Sequence, residues 1–117
     1  MFQAKTVYLF ASIPVTDFAI AMKWYEQFLG FPPTLIASDI EAVWDLAEYR
    51  TIYIEVRPED AGHNKFSLFV GDLDAVVADI SKRGIESLKH ETYPDGVRKF
   101  IYNGPDGNEI GIGGTPS

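Results

Sequence analysis

Two stretches of the chain alternate side chains in the same way and end on the same signal. The first is Val7-Tyr8-Leu9-Phe10-Ala11-Ser12-Ile13-Pro14-Val15-Thr16-Asp17. The second is Lys65-Phe66-Ser67-Leu68-Phe69-Val70-Gly71-Asp72. Both read as strands running into Val-x-Asp, and the two Asp residues stand 55 residues apart, close to half of the 117-residue chain. A repeat of that length predicts two copies of one structural unit. Each Val-x-Asp predicts a helix start, because a short side-chain oxygen satisfies an orphan N–H of the first turn. In the first copy Phe18, Ala21, Met22, Tyr25, Phe28 and Leu29 recur at three- and four-residue spacing, which makes one apolar helical stripe. Gly30 ends it and Pro32-Pro33 forbids continuation. In the second copy Leu73, Val76, Val77 and Ile80 form the stripe, Lys82 and Arg83 suit the negative helix end, and Gly84 closes it.

Three short strand candidates follow each helix: residues 34–38, 42–47 and 51–57, then 86–92, 97–103 and 109–113. Pro94-Asp95-Gly96 and Pro105-Asp106-Gly107-Asn108 are turn signals with a mechanism, Pro presetting φ and Gly accepting positive φ. The polar stretch 58–64 is a linker. The expected class is α+β, with two βαβββ modules covering about 1–58 and 64–117 in one domain. A single unit would leave one sheet face bare, so the two are expected to cooperate.

Alternation sorts the strand residues onto two faces. Leu9, Ala11, Ile13, Val15, Ile52, Ile54, Val56, Phe66, Leu68, Val70, Ile110 and Ile112 belong to the helix side. The other face carries Tyr8, Phe10, Ser12, Tyr53, Glu55, Lys65, Ser67, Phe69, Glu109 and Gly111. Aromatic walls with a few polar groups are the composition of a ligand pocket; an ordinary half-exposed sheet is the other reading. Tyr8, Phe10, Tyr53 and Phe69 are the wall candidates, while Trp44 alternates with Ala42 and Leu46 as a core residue. Tyr49 falls in a turn among charges, His63 in the linker, and His90 on an exposed strand.

Composition narrows the function. Ten basic against seventeen acidic side chains give a net charge of −7, which repels phosphate backbones and argues against nucleic-acid binding. The chain has no Cys, so disulfides, thiolate catalysis and Cys-ligated metals are excluded. No apolar run approaches the ~20 residues that span a bilayer. The start, Met1-Phe2-Gln3-Ala4-Lys5, does not follow the order of a secretory signal. The expectation is a soluble, cytoplasmic protein with no membrane partner.

Three motifs at their spacing resemble the vicinal oxygen chelate superfamily, which includes glyoxalase I, dioxygenases and bleomycin-resistance proteins. They are Ile13-Pro14-Val15-Thr16-Asp17-Phe18 with Trp24-Tyr25 and Phe28-Leu29-Gly30-Phe31, then Phe69-Val70-Gly71-Asp72-Leu73, then Gly104-Pro105-Asp106-Gly107-Asn108-Glu109-Ile110. The resemblance implies paired βαβββ modules curling into an open barrel around a cavity, usually in a homodimer. It chooses no reaction. Metal-using members of that superfamily place four ligands on the sheets, and the matching positions here are Phe10, Glu55, Lys65 and Gly111. One carboxylate does not hold a divalent cation tightly. A register shift would add His63 at most, so no metal and no other cofactor is expected. Two arrangements of Lys65 and Glu55 stay open: an ion pair in place of the metal, or two separately hydrated groups. Glu109 is a second carboxylate that a two-residue slip would bring to the place of Gly111.

The function expected is binding of a small, partly aromatic or cationic molecule without a metal, by Tyr8, Phe10, Tyr53, Glu55, Lys65, Phe69 and Gly111. The alternative is a lyase or isomerase of the glyoxalase type, metal-dependent or metal-free, with Glu55 as general base and, without a metal, Lys65 stabilising an enolate-like state. A dimerising module with no small ligand is the non-catalytic remainder.

Overall fold

The computed structural model describes residues 3–115. Ten elements follow one another as β1 (Leu9–Val15), α1 (Phe18–Leu29), β2 (Leu35–Ser38), β3 (Glu41–Ala47), β4 (Arg50–Val56), β5 (Lys65–Phe69), α2 (Leu73–Lys82), β6 (Lys89–Thr92), β7 (Arg98–Asn103) and β8 (Glu109–Gly114). They form two four-stranded sheets ordered β1-β4-β3-β2 and β5-β8-β7-β6. In each, the first strand pairs in parallel with the fourth and the rest are antiparallel. The architecture is α+β and consists of two βαβββ modules whose sheets do not close on themselves. No helix among the described residues is long and apolar enough to cross a membrane.

The helix boundaries follow local chemistry. The Asp17 carboxylate accepts from the Ile20 N–H at 2.9 Å, and the Asp72 carboxylate accepts from the Ala75 N–H at 3.2 Å. Gly30 and Gly84 both adopt left-handed backbone, with φ of 89° and 90°, the conformation that closes a helix and that only glycine reaches without strain. The strand β6 is shorter than the alternation of residues 86–92 predicts. Residues 86–88 carry the chain away from α2, although the Leu88 N–H still donates to the Ile101 carbonyl.

The apolar faces of both modules meet in one buried cluster around Ile13, Val15, Tyr25, Phe28, Trp44, Ile54, Tyr102 and Ile110. The Phe28 and Tyr102 rings pack edge to face at 5.0 Å, joining the first helix to the second sheet. Trp44 is fully buried and its indole N–H donates to the Phe31 carbonyl at 3.0 Å. Polar latches add to this. The Thr16 hydroxyl and backbone N–H both donate to Asp106 Oδ1, at 2.6 and 3.0 Å. The Asn64 amide donates to the Ser12 carbonyl at 2.7 Å.

One core group is left unpaired. Tyr25 is buried, and its hydroxyl has no hydrogen-bond partner among the described residues. Burial first, and then the Asp106 carboxylate, push its pKa well above the ordinary 10.0. Phenylalanine would remove the unpaired oxygen, so Tyr25→Phe is expected to keep or raise stability, by up to about 1 kcal/mol. The pH dependence has a definite sign. In the unfolded chain the phenol loses its proton near 10.0, whereas the folded protein holds it neutral above that value. The stability is therefore complete below that pH and falls as pH rises beyond it. Urea unfolding across alkaline pH checks both points: the Phe variant is expected to lose less stability there than the parent.

Candidate functional site

Register decides which side chains meet on the face of each sheet turned away from the helices. In the first sheet Phe10 stands opposite Thr51, Ser12 opposite Tyr53, and Pro14 opposite Glu55. In the second, Lys65 stands opposite Glu109, Ser67 opposite Gly111, and Phe69 opposite Gly113. The two modules thus superpose Phe10 on Lys65 and Tyr53 on Gly111, so one open face is aromatic and the other is charged with a glycine floor.

Lys65 finds its carboxylate on the neighbouring strand. Its Nζ lies 3.5 Å from Glu109 Oε2. Glu55 Oε1 lies 3.8 Å from the Arg57 guanidinium, which also reaches Asp60 at 3.1 Å. Neither arrangement left open for Lys65 and Glu55 is adopted: they do not pair with each other, and instead of standing merely hydrated each meets a different charged side chain, because the parallel pairing of β5 with β8 sets Glu109 directly beside Lys65. These pairs are half exposed and contribute little to stability.

Gly111 has a steric reason to be glycine. A Cβ there would stand 2.7 Å from Ser67 Oγ and 3.0 Å from Lys99 Cε. The space where metal-using members place a carboxylate is thus occupied by the stem of Lys99. With Phe10, Lys65 and Gly111 at three of the four matching positions, the donor set does not fit a tightly held divalent cation. Among the described residues, no three His, Asp or Glu side chains converge on one point.

The aromatic wall residues are open. Tyr8, Phe10 and Phe69 are 62%, 60% and 67% exposed, and Tyr53 is half-buried. Tyr8 packs its ring edge to face against Tyr49 at 4.6 Å and lies stacked on Phe10 at 6.2 Å. Tyr49 takes a left-handed φ of 63° at the turn between β3 and β4, which places its ring beside Tyr8. A sequence reading assigns Tyr49 to a turn and misses this neighbour; a non-glycine residue in a two-residue hairpin turn is the signal that it is held there by contacts.

An apolar cleft lies elsewhere than the aromatic trio. It measures about 690 Å³ and runs between β1 and β5, the edge strands of the two sheets. Leu9, Ala11 and Ile52 line one wall, and Phe66, Leu68 and Val70 the other. Parity places these residues on the helix side. The buried part of β1 is Ile13 and Val15, whereas Leu9 is 61% exposed. Ser67 and Phe69 border both this cleft and the open face of the second sheet. Phe69 is the one predicted wall residue along it; Tyr8, Phe10, Tyr53, Glu55, Lys65 and Gly111 lie outside.

Paired βαβββ modules with open sheet faces define a class of small barrel-forming proteins. The family model of the Glyoxalase/Bleomycin resistance protein/Dioxygenase superfamily matches residues 7–112, and the chain belongs to that superfamily. A glyoxalase/bleomycin resistance protein from Catenulispora acidiphila DSM 44928 is 50% identical, covers 95% of this chain and 100% of its own, and superposes with a TM-score of 0.91. A bleomycin-binding protein, solved in complex with bleomycin, is 17% identical over 95% of this chain and 100% of its own, with a TM-score of 0.77. A lactoylglutathione lyase from Agrobacterium tumefaciens is 12% identical over 96% and 95%, with a TM-score of 0.76. The last two likenesses show the fold alone. Among curated proteins nothing matches.

Proposed function

We infer that the protein binds a small organic molecule with an apolar or aromatic body, and that it does so without a metal. One observation carries this reading: an apolar cleft of about 690 Å³ opens between two sheets whose four ligand positions hold Phe10 and Glu55 on the first and Lys65 and Gly111 on the second. The volume is that of a small-molecule site, and the donor set favours binding by burial over binding by coordination. The bleomycin complex of a protein with the same fold supports the choice. We take the working unit to be a homodimer. Exposed Tyr8, Phe10 and Phe69 support a second copy covering these faces.

Calorimetric titration with metal-free bleomycin and with small aromatic compounds tests the reading. Saturable binding that survives a chelator is the expected result. Stoichiometric nickel, zinc or iron retained after purification with divalent ions supplied would overturn the metal-free part, and absence of binding by every compound would overturn the rest. Sedimentation at the 13.1 kDa of one chain, rather than about twice that, would overturn the dimer.

A further inference from the structure

The cleft between β1 and β5 has a joined end and an open one. The side-chain amide of Asn64, one residue before β5, donates to the Ser12 carbonyl in β1 at 2.7 Å and ties the two strands there. From that tie β1 leads back to Leu9 and β5 leads on to Phe69. Exposure follows the same direction. Ile52, opposite Ala11, is 3% exposed near the joined end, whereas Leu9 is 61% exposed at the other. The wall from Phe66 to Val70 is about 13 Å long at roughly 3.3 Å per residue. Most of the lining is aliphatic: Leu9, Ala11, Leu46, Ile52, Leu68 and Val70. A slot of that length with aliphatic walls suits an extended alkyl chain, which it removes from water.

One charged residue lines the slot, Arg50. It stands opposite Leu9 in β1 and opposite Ala47 in β3, so neither cross-strand neighbour is charged. Strand parity puts it on the same face as Leu9 and Ile52. The cation and the apolar walls therefore share one face, with the cation at the open end. Glu48 borders the adjoining hollow together with Arg50 but does not line the slot. The ion pairs of the described residues do not include Arg50, and it is exposed. An anion can meet it there without leaving water. The net charge of −7 disfavours anions at long range, but salt screens it beyond about 8 Å at physiological strength.

We propose that this cleft takes a single-chain anionic amphiphile of the fatty-acid class, its alkyl chain along the slot and its carboxylate on Arg50 at the mouth. The inference rests on the small-molecule reading above and adds the chemical class and the anchoring residue.

Three probes of one chain length and different charge decide it: decanoate, decanamide and decylammonium, each titrated calorimetrically below the concentration at which it forms micelles. Decanoate is expected to bind about fivefold more tightly than decanamide, the upper return of a solvent-exposed ion pair, and decylammonium more weakly than either. From hexanoate through octanoate to decanoate, each added methylene is expected to tighten binding about fourfold, the return for burying one. Arg50→Gln is expected to erase the preference for carboxylate over amide, and Arg50→Lys to keep it. Leu9→Glu, at an exposed position opposite Arg50, supplies a carboxylate from the chain itself and is expected to erase the preference as well. Thermal melts of each variant confirm that it folds. Equal affinity for decanoate and decanamide, tighter binding of the ammonium, or affinity indifferent to chain length overturns the amphiphile site and leaves small-molecule binding intact. Failure of every alkyl probe while an aromatic compound still binds overturns the amphiphile alone. Failure of both sets overturns the small-molecule reading too.

Discussion

Asn108→Ala is expected to destabilise the protein by about 3–5 kcal/mol, because it orphans three part-buried backbone groups at once. Asn108 is 1% exposed. Its Oδ1 accepts from the Gly62 and Asn64 N–H groups at 2.9 and 3.0 Å, and its Nδ2 donates to the Pro14 carbonyl at 2.7 Å. Pro14 belongs to the first module, Gly62 and Asn64 to the linker, and Asn108 to the second module. One amide therefore ties three segments that are far apart in sequence. For a chain of this size the expected loss lowers Tm by roughly 10–20 °C. Asn108→Asp separates the two halves of the amide. It keeps the acceptor for Gly62 and Asn64 but sets a carboxylate oxygen against the Pro14 carbonyl, so it is expected to be destabilising as well. Denaturant melts of both variants check this. An Ala variant within about 1 kcal/mol of the parent, the net worth of a single ordinary hydrogen bond, would show that water satisfies these groups.

That role was not legible in the sequence, although Asn108 was. In Pro105-Asp106-Gly107-Asn108 the local signal is a turn, and a turn forms, with Gly107 at φ 93°. Local signals report backbone preference, and the elements they predict are present: Asp17 and Asp72 cap the two helices, Gly30 and Gly84 end them, and the βαβββ repeat appears twice. What an Asn side chain does across a module boundary depends on which loop packs against it, and no window of sequence contains that. The same limit governs the site. Alternation assigns Leu9 and Phe66 to the helix face correctly, yet which end of an apolar strand face a helix covers is settled by packing, so the cleft between β1 and β5 stayed hidden. Resemblance to metal-using relatives raises a Lys65–Glu55 pair only as one of two arrangements, whereas strand register gives Lys65 the neighbour Glu109, which no resemblance suggests. Gly111 was legible as a missing ligand; that Lys99 fills its place was not.

The second latch leads to a prediction of the same rank. Arg83, just beyond α2, donates from Nε to the Gln27 carbonyl at 2.6 Å and from Nη2 to the Phe28 carbonyl at 2.7 Å. Its own carbonyl accepts from the Gln27 side-chain amide. A guanidinium thus satisfies the last carbonyls of α1 from the other module and opposes the negative end of that helix. Arg83→Ala is expected to cost about 2–3 kcal/mol, less than two full charge-assisted bonds because the groove beside it admits water to the freed carbonyls. Gly30 sits beneath this guanidinium. Its φ of 89° already disfavours any other residue, and a Cβ there would stand 2.9 Å from Arg83 Cζ. Gly30→Ala is therefore expected to lose about 1–2 kcal/mol to the left-handed backbone and more to the collision. The two losses share a cause, so they do not add. In the double variant the guanidinium is gone and the new methyl has room. A double-mutant cycle is expected to show the pair about 1 kcal/mol more stable than the sum of the singles predicts. Additivity within about 0.3 kcal/mol, the usual result for independent sites, would mean that Arg83 swings clear of residue 30 without losing its hold on α1.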